Sequence, residues 1–179
     1  MVADNAKVYG HAVINDNVKV CQNAHIYDNA YIGDNAQIGD NAKVYENAKI
    51  TYNARVGGEV QVYGDAQVKG NAFVADYASV CQKAMVSGNA RLLGKAKVLG
   101  AVMVFENAVV GDNAVIDDEA RVSGNAQVFE KGTVNHRANI IDNARVFGEA
   151  EVYGNAIISS NAQIGGNTKI GGNTQFRGN

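Results

Sequence analysis

The chain has 179 residues, a net charge of −2 from 16 basic and 18 acidic side chains, and neither Pro nor Trp. The nearly balanced charge argues against electrostatic binding of nucleic acid and equally against mimicry of DNA by an acidic surface. There is no apolar run long enough for a membrane span, and we expect no leader peptide, since the repeat described below already starts at Val2.

A six-residue unit repeats along the chain. Val, Ile, Leu or Phe recurs at every sixth residue from Val2 to Phe176, which gives 30 units without a break in phase. The fifth residue of the unit is Ala in 23 of 29 cases, and the third and fourth are mostly Asp-Asn or Gly-Asn. Each unit therefore predicts a short four-residue strand, in which Ala and the aliphatic residue point inward, followed by a tight turn that tolerates positive φ. This alternation excludes a helix.

Three units form one coil. Tyr9, Tyr27, Tyr45 and Tyr63 recur every 18 residues, and one corner of the coil carries Asn in all ten coils, from Asn17 to Asn179. Strands of this kind bury their apolar face only by stacking on copies above and below. The sequence thus predicts one all-β domain over residues 1–179, a parallel β-helix shaped as a triangular prism of about ten 18-residue coils. At about 4.8 Å per coil the prism is roughly 48 Å long.

The units IGDNAQ, IGDNAK and VGDNAV, which start at Ile32, Ile38 and Val110, carry a family resemblance. The chain resembles the hexapeptide-repeat superfamily of single-stranded left-handed β-helices, which includes many bacterial acyltransferases. It also resembles uncharacterised repeat proteins of bacteria and their phages. The resemblance implies a left-handed coil and, by analogy, assembly into trimers.

One face of the predicted prism combines aromatic and basic side chains. Stacked rings beside cations can hold a flat or anionic ligand, or a protein partner, through stacking and cation–π contacts. The alternative is a purely structural ladder, because tyrosines stack well on exposed strands. The residues of this predicted binding surface are Lys7, Tyr9, His25, Tyr27, Lys43, Tyr45 and Tyr63.

Apolar residues gather at outward positions in the second half of the chain. A contiguous apolar surface commonly marks an interface, so we expect a homo-oligomer, a trimer or a dimer, held through the all-Asn corner and the two faces beside it. The residues of this predicted interface are Leu93, Met103, Phe105, Val109, Phe129, Ile141, Phe147 and Ile157.

Histidine and cysteine positions offer little chemistry. No two of His11, His25 and His136 have the 18-residue spacing that would stack them as metal ligands, so no metal site is predicted. Cys21 and Cys81 point outward on different faces and cannot pair, which favours a reducing cytoplasm.

Two functions are compatible with these features. The acyltransferases that the chain resembles use a catalytic histidine at a subunit interface, together with projecting loops that are missing here. We therefore expect a non-enzymatic β-solenoid without a cofactor that binds a protein partner or a small anionic ligand, for example a phage- or bacterium-encoded inhibitor. The alternative is a pared-down acyltransferase that uses acyl-CoA between subunits, with His25 as the first candidate for the general base and His136 as the second.

Overall fold

The computed structural model describes residues 1–179 and consists of 29 short parallel strands joined by tight turns. Most strands contain two residues, an outward one followed by the inward aliphatic residue. The predicted four-residue strand is therefore longer than the observed one, because the chain turns a corner every six residues. The structure contains no helical segment with the length and apolarity that a membrane crossing requires.

Every third strand belongs to the same sheet, so three flat sheets form the three faces of a prism. Face 1 contains β1 (Lys7–Val8), β4 (His25–Ile26), β7 (Lys43–Val44), β10 (Gln61–Val62), β13 (Ser79–Val80), β16 (Lys97–Val98), β19 (Val115–Ile116), β22 (Thr133–Val134), β25 (Glu151–Val152) and β28 (Lys169–Ile170). Face 2 contains β2 (Val13–Ile14), β5 (Tyr31–Ile32), β8 (Lys49–Ile50), β11 (Gln67–Val68), β14 (Met85–Val86), β17 (Met103–Val104), β20 (Arg121–Val122), β23 (Asn139–Ile140), β26 (Ile157–Ser160) and β29 (Gln175–Gly178). Face 3 contains β3 (Lys19–Val20), β6 (Gln37–Ile38), β9 (Arg55–Val56), β12 (Phe73–Val74), β15 (Arg91–Leu92), β18 (Val109–Val110), β21 (Gln127–Val128), β24 (Arg145–Val146) and β27 (Gln163–Ile164).

Pairing between coils keeps a register of 18 residues. His25, for example, lies between Lys7 and Lys43 on face 1. Each face consequently carries two columns of outward side chains, which we call the leading column, before the inward aliphatic residue, and the trailing column, after it. We call the turns between faces 1 and 2, 2 and 3, and 3 and 1 the first, second and third corners. The all-Asn corner is the second corner.

The core is a continuous cluster of 49 buried residues that runs along the prism axis. It is made of the inward aliphatic residues and the fifth-position alanines, as the repeat predicts, with exposures of 0–3%. Burial of each Val or Ile side chain contributes about 1.5–3 kcal/mol, so stability accumulates coil by coil rather than in one centre.

The turns depend on the third residue of each unit. All 29 third positions from Asp4 to Gly172 have positive φ, and 17 of them are not glycine. The fourth residue does not share this conformation, although the sequence suggested that both turn residues tolerate it. Positive φ is strained for most side chains, and Gly and Asp are common here because they tolerate it best.

Side chains at the corners bond from coil to coil. Along the second corner each Asn amide donates to the Asn carbonyl oxygen of the next coil, at 3.0–3.3 Å, from Asn17 as far as Asn161. Third-position carboxylates accept hydrogen bonds from the backbone N–H one coil further on, for example Asp34 from Tyr52 at 2.8 Å. These two ladders satisfy polar groups that the tight turns leave free of the backbone network.

Candidate functional site

His136 lies at the first corner, where it occupies a third position with a φ of 57°. Its backbone N–H donates to Asp118 Oδ2 at 3.0 Å, which holds the turn in place. The imidazole Nδ1 is 2.9 Å from Asn135 Oδ1 and 3.8 Å from Asp118 Oδ2. An Nδ1–H that donates to Asn135 leaves Nε2 as the free, proton-accepting nitrogen.

A chain of polar contacts continues from His136 onto face 1. Lys169 Nζ is 2.8 Å from Glu151 Oε2, and this hydrogen bond is the main cause that lowers the pKa of Glu151. A hydrogen bond from Asn135 and the nearby His136 contribute to lowering the same pKa. Asn135 is therefore a neighbour of both Glu151 and the imidazole.

Two adjoining surface depressions lie near this histidine, which lines the first of them. The first, about 410 Å³, is lined by Asp118, Glu119, His136, Arg137, Gly154 and Asn155. The second, about 500 Å³, extends onto face 2 and is lined by Ala101, Met103, Glu119, Arg121, Arg137, Asn139, Asn155 and Ile157. Arg137 Nε is 3.1 Å from Glu119 Oε2, and both residues line both depressions. The arrangement combines one base, two guanidinium groups and apolar walls on a single stretch of surface.

The other two histidines have different surroundings. His25, the first candidate from sequence, is half-buried on face 1 between two lysines, and its ring meets Tyr9 edge-on at 6.3 Å. No carboxylate lies within ion-pair distance of it. His11 lines a separate polar depression at the first corner, beside Asp28 and Glu46. Of the two candidates from sequence, His136 is the one with a carboxylate within 4 Å and a depression beside it, and the role of either histidine as a general base remains a prediction.

The tyrosine ladder on face 1 is a continuous stack. Tyr9, Tyr27, Tyr45 and Tyr63 lie 5.0–5.1 Å apart with interplanar angles of 2–4°. Each ring therefore covers the faces of its neighbours, and the stack ends at Cys81, which is only 8% exposed. Tyr9, 49% exposed, offers the outermost ring face to a ligand. Binding by this surface remains a prediction.

Burial changes the acidity of the ladder. The pKa of Tyr45 is raised to about 12. Desolvation by burial is the largest cause, and the neighbouring Tyr63 and Tyr27 raise the pKa further. Desolvation is also the first cause that raises the pKa of Tyr27, whereas a hydrogen bond with Cys81 is the first cause for Tyr63. These three phenols are therefore harder to ionise than a free tyrosine side chain.

The predicted interface residues divide evenly between the two faces that flank the second corner. All eight side chains are half-buried within the single chain. Met103, Phe105, Ile141 and Ile157 lie on face 2, and Leu93, Val109, Phe129 and Phe147 lie on face 3. The sequence placed them correctly, and their role in assembly remains a prediction.

No group of three or more His, Cys, Asp or Glu side chains is arranged to hold a metal ion. The stacked carboxylates at the corners instead accept backbone hydrogen bonds, as Asp16 does from Asp34 and Asp28 from Glu46, both at 3.2 Å.

Sequence reasoning missed the acidic partners of these basic side chains, although the signal was available. Asp118 and His136 are 18 residues apart, as are Glu119 and Arg137, and each pair meets in the structure. The same spacing joins Lys131 to Glu149, at 2.7 Å. A search for oppositely charged residues 18 apart, and not only for pairs of histidines, would have located the site.

Comparison with known proteins agrees with the repeat and the fold. Residues 17–52 match the model of a family described as bacterial transferase hexapeptide (six repeats). The structure is similar to that of UDP-N-acetylglucosamine O-acyltransferase (LpxA) from Moraxella catarrhalis RH4, with a TM-score of 0.68 and 17% identity over 91% of this chain. The match spans 66% of that protein's chain, just under two thirds. No curated protein sequence matches the chain.

The predicted resemblance is confirmed: the chain has the hexapeptide repeat and the left-handed β-helix fold of this superfamily. The expectation of a non-enzymatic protein is wrong, since the matching family model describes a bacterial transferase repeat and the similar structure is that of an acyltransferase. That expectation depended on the absence of projecting loops. Loops are not needed to form a depression on this prism, because side chains of adjacent coils alone line both depressions near His136.

Proposed function

We propose that the chain is an acyltransferase that moves an acyl group from acyl-CoA to a hydroxyl group, with His136 as the general base. The observation that carries the proposal is the imidazole held by Asn135 and Asp118 at the edge of a depression, with Nε2 free. The transferase repeat and the fold shared with an acyltransferase support it.

The reaction assigns one role to each group. His136 Nε2 accepts the proton of the acceptor hydroxyl, and the oxygen attacks the thioester carbonyl. A carbon–oxygen bond forms, the carbon–sulfur bond breaks, and the departing thiolate takes the proton back from the imidazolium. Asp118, 3.8 Å from Nδ1, stabilises the imidazolium while it carries this proton.

Assembly would complete this site. The second depression opens onto face 2, where Met103 and Ile157 belong to the predicted interface. A second copy packed on faces 2 and 3 would cover the depression and exclude water from the reacting groups. We therefore propose a homo-oligomer, a trimer or a dimer, and a reducing cytoplasm as the setting, since both cysteines are free.

The test is release of free CoA from a panel of acyl-CoA thioesters, with sugar hydroxyls as acceptors, followed by mass spectrometry of the acylated product. We expect turnover by the wild type, loss of turnover in His136→Ala, and wild-type turnover in His25→Ala, which is the matched control. Turnover that survives in His136→Ala would contradict the assignment. Absence of turnover with every thioester would contradict the proposed activity.

A further inference from the structure

The trailing column of face 3 has one missing step. From Leu93 onward it reads Leu93, Gly111, Phe129 and Phe147, so a glycine interrupts a run of large apolar side chains. The resulting cavity of about 260 Å³ is lined by Leu93, Val109, Gly111, Asp112, Gln127, Phe129 and Arg145. We call it the Gly111 slot. It lies on face 3, apart from the depressions around His136.

The space next to the Gly111 Cα, where a side chain would begin, is empty. A Cβ added to Gly111 would meet nothing within 4 Å, and Gly111 does not have positive φ. Gly165, three coils further along the same column, differs, since the Phe147 ring already occupies the space where its Cβ would be. Gly111 is therefore not required by the backbone, and the space above it is unoccupied by the protein's own side chains.

The height of the slot matches one aromatic ring. Phe129 and Phe147 stack at 5.4 Å with an interplanar angle of 9°, so one coil corresponds to one ring. Leu93 and Phe129 are two coils apart, about 10 Å along the axis. A ring placed at the level of Gly111 would continue the phenylalanine stack and be covered by Leu93.

The polar group beside the slot is a cation without a hydrogen-bond partner on one nitrogen. The Arg145 guanidinium lies 4.9 Å from the centre of the Phe129 ring, and its Nε is buried with no partner. Asp112, which follows Gly111 in the chain and also lines the slot, already accepts a hydrogen bond from the Glu130 backbone at 3.0 Å. An anion therefore finds its counter-charge at the Arg145 end.

We infer that the Gly111 slot binds a small planar aromatic carboxylate. Its ring would stack on Phe129 beneath Leu93, and its carboxylate would pair with Arg145. The slot is a surface depression of about 260 Å³, so the carboxylate end of the ligand can stay in contact with solvent. This inference does not depend on the proposed acyl transfer. Leu93, Val109 and Phe129 also belong to the predicted interface, so the ligand and a second copy packed on face 3 would compete for this surface.

The experiment is a calorimetric titration of the full chain with 2-naphthoate. Gly111→Phe places a ring in the slot and should weaken binding at least about tenfold, as loss of an aromatic stacking site does. Gly111→Ala, which adds one methyl group in open space, is the matched control and should bind within about threefold of the wild type. Gly111→Leu serves in place of Gly111→Phe if that variant does not fold.

Arg145→Gln tests the pairing of the carboxylate separately from the stacking of the ring. It should weaken binding of 2-naphthoate about tenfold and leave binding of the neutral 2-naphthamide nearly unchanged. Three results would overturn the inference: no saturable binding of 2-naphthoate, equal binding by Gly111→Phe and the wild type, or a change in solution mass caused by Gly111→Phe. The last would assign the slot to a second copy of the chain.

Discussion

At the residue scale, the third position of each hexapeptide determines where the chain turns and what the turn displays. His136 occupies such a position, with a φ of 57°, and a hydrogen bond from its N–H to Asp118 compensates for the strain. The same turn brings the imidazole to Asn135. The candidate general base is therefore held by the geometry of the repeat, without a separate loop.

Two glycines on neighbouring coils should respond oppositely to alanine. Gly88 has a φ of +67°, and its added Cβ would lie 2.8 Å from the Glu106 backbone nitrogen, whereas Gly111 has open space. Gly88→Ala should lower the free energy of unfolding by at least about 1–2 kcal/mol. Gly111→Ala should be neutral or stabilising by up to about 1 kcal/mol. Urea unfolding measures both, and equal effects would contradict this explanation of the turns.

The tyrosine ladder makes stability depend on alkaline pH. The pKa of Tyr45 is about 12 in the folded chain against 10.0 ordinarily, so the folded state holds the phenol proton more tightly. This contribution is fully present below pH 10 and is lost as the pH rises from 10 to about 12. Unfolding curves across this range should show a smaller loss of stability for Tyr45→Phe than for the wild type. Identical losses would contradict the assignment.

At the element scale, the corners hold successive coils in register. The second corner carries an unbroken ladder of Asn amides, in which Asn89 accepts from Asn71 at 3.1 Å and donates to Asn107 at 3.0 Å. Such identical side chains, stacked in register, stabilise parallel β-structures generally. The ladder gives the uninterrupted Asn row a structural explanation that does not require a partner.

Breaking the ladder at its centre should cost measurable stability. Asn89→Ala removes two exposed hydrogen bonds and should lower the free energy of unfolding by about 1 kcal/mol. Asn113→Ala is the matched control, since Asn113 occupies the same turn position at the third corner and makes no side-chain hydrogen bond. If Asn113→Ala lowers the free energy of unfolding as much as Asn89→Ala does, the loss arises from the turn position and not from the Asn ladder.

Most of the arrangement of coils, faces and outward columns was predictable from the sequence. The 18-residue spacing predicted the tyrosine stack, the prism and the position of each outward column. The covering of Cys81 and the two-residue strands were not predictable, because they depend on side-chain packing and on how sharply each corner turns. The partners of His136 were accessible in principle: Asp118 precedes it by one coil, and Asn135 is its neighbour in sequence.

At the scale of the whole molecule, the prism presents three different faces. Face 1 carries the tyrosine ladder, face 2 opens into the depressions beside His136, and face 3 contains the Gly111 slot. Half-buried apolar side chains on faces 2 and 3 adjoin the second corner. This distribution is compatible with the proposed side-by-side assembly of copies.

The predicted interface can be tested by solution mass. Phe129→Asp combined with Phe147→Asp places two charges on face 3 and should lower the mass measured by light scattering, because buried charge without a partner opposes association. Circular dichroism checks that the β-helix is intact. The control is Tyr77→Asp with Tyr153→Asp, which alters exposed residues on the third corner and on face 1, away from the predicted interface. A mass that does not change in the face 3 variant would exclude this interface.

The central claim, that His136 is the base of an acyl transfer, is tested most directly by steady-state kinetics of His136→Ala. The variant should lower kcat by at least about 100-fold and leave KM for the acyl-CoA close to that of the wild type, since general bases contribute on this scale to the chemical step. A variant with an unchanged kcat, or with a change confined to KM, would contradict the claim.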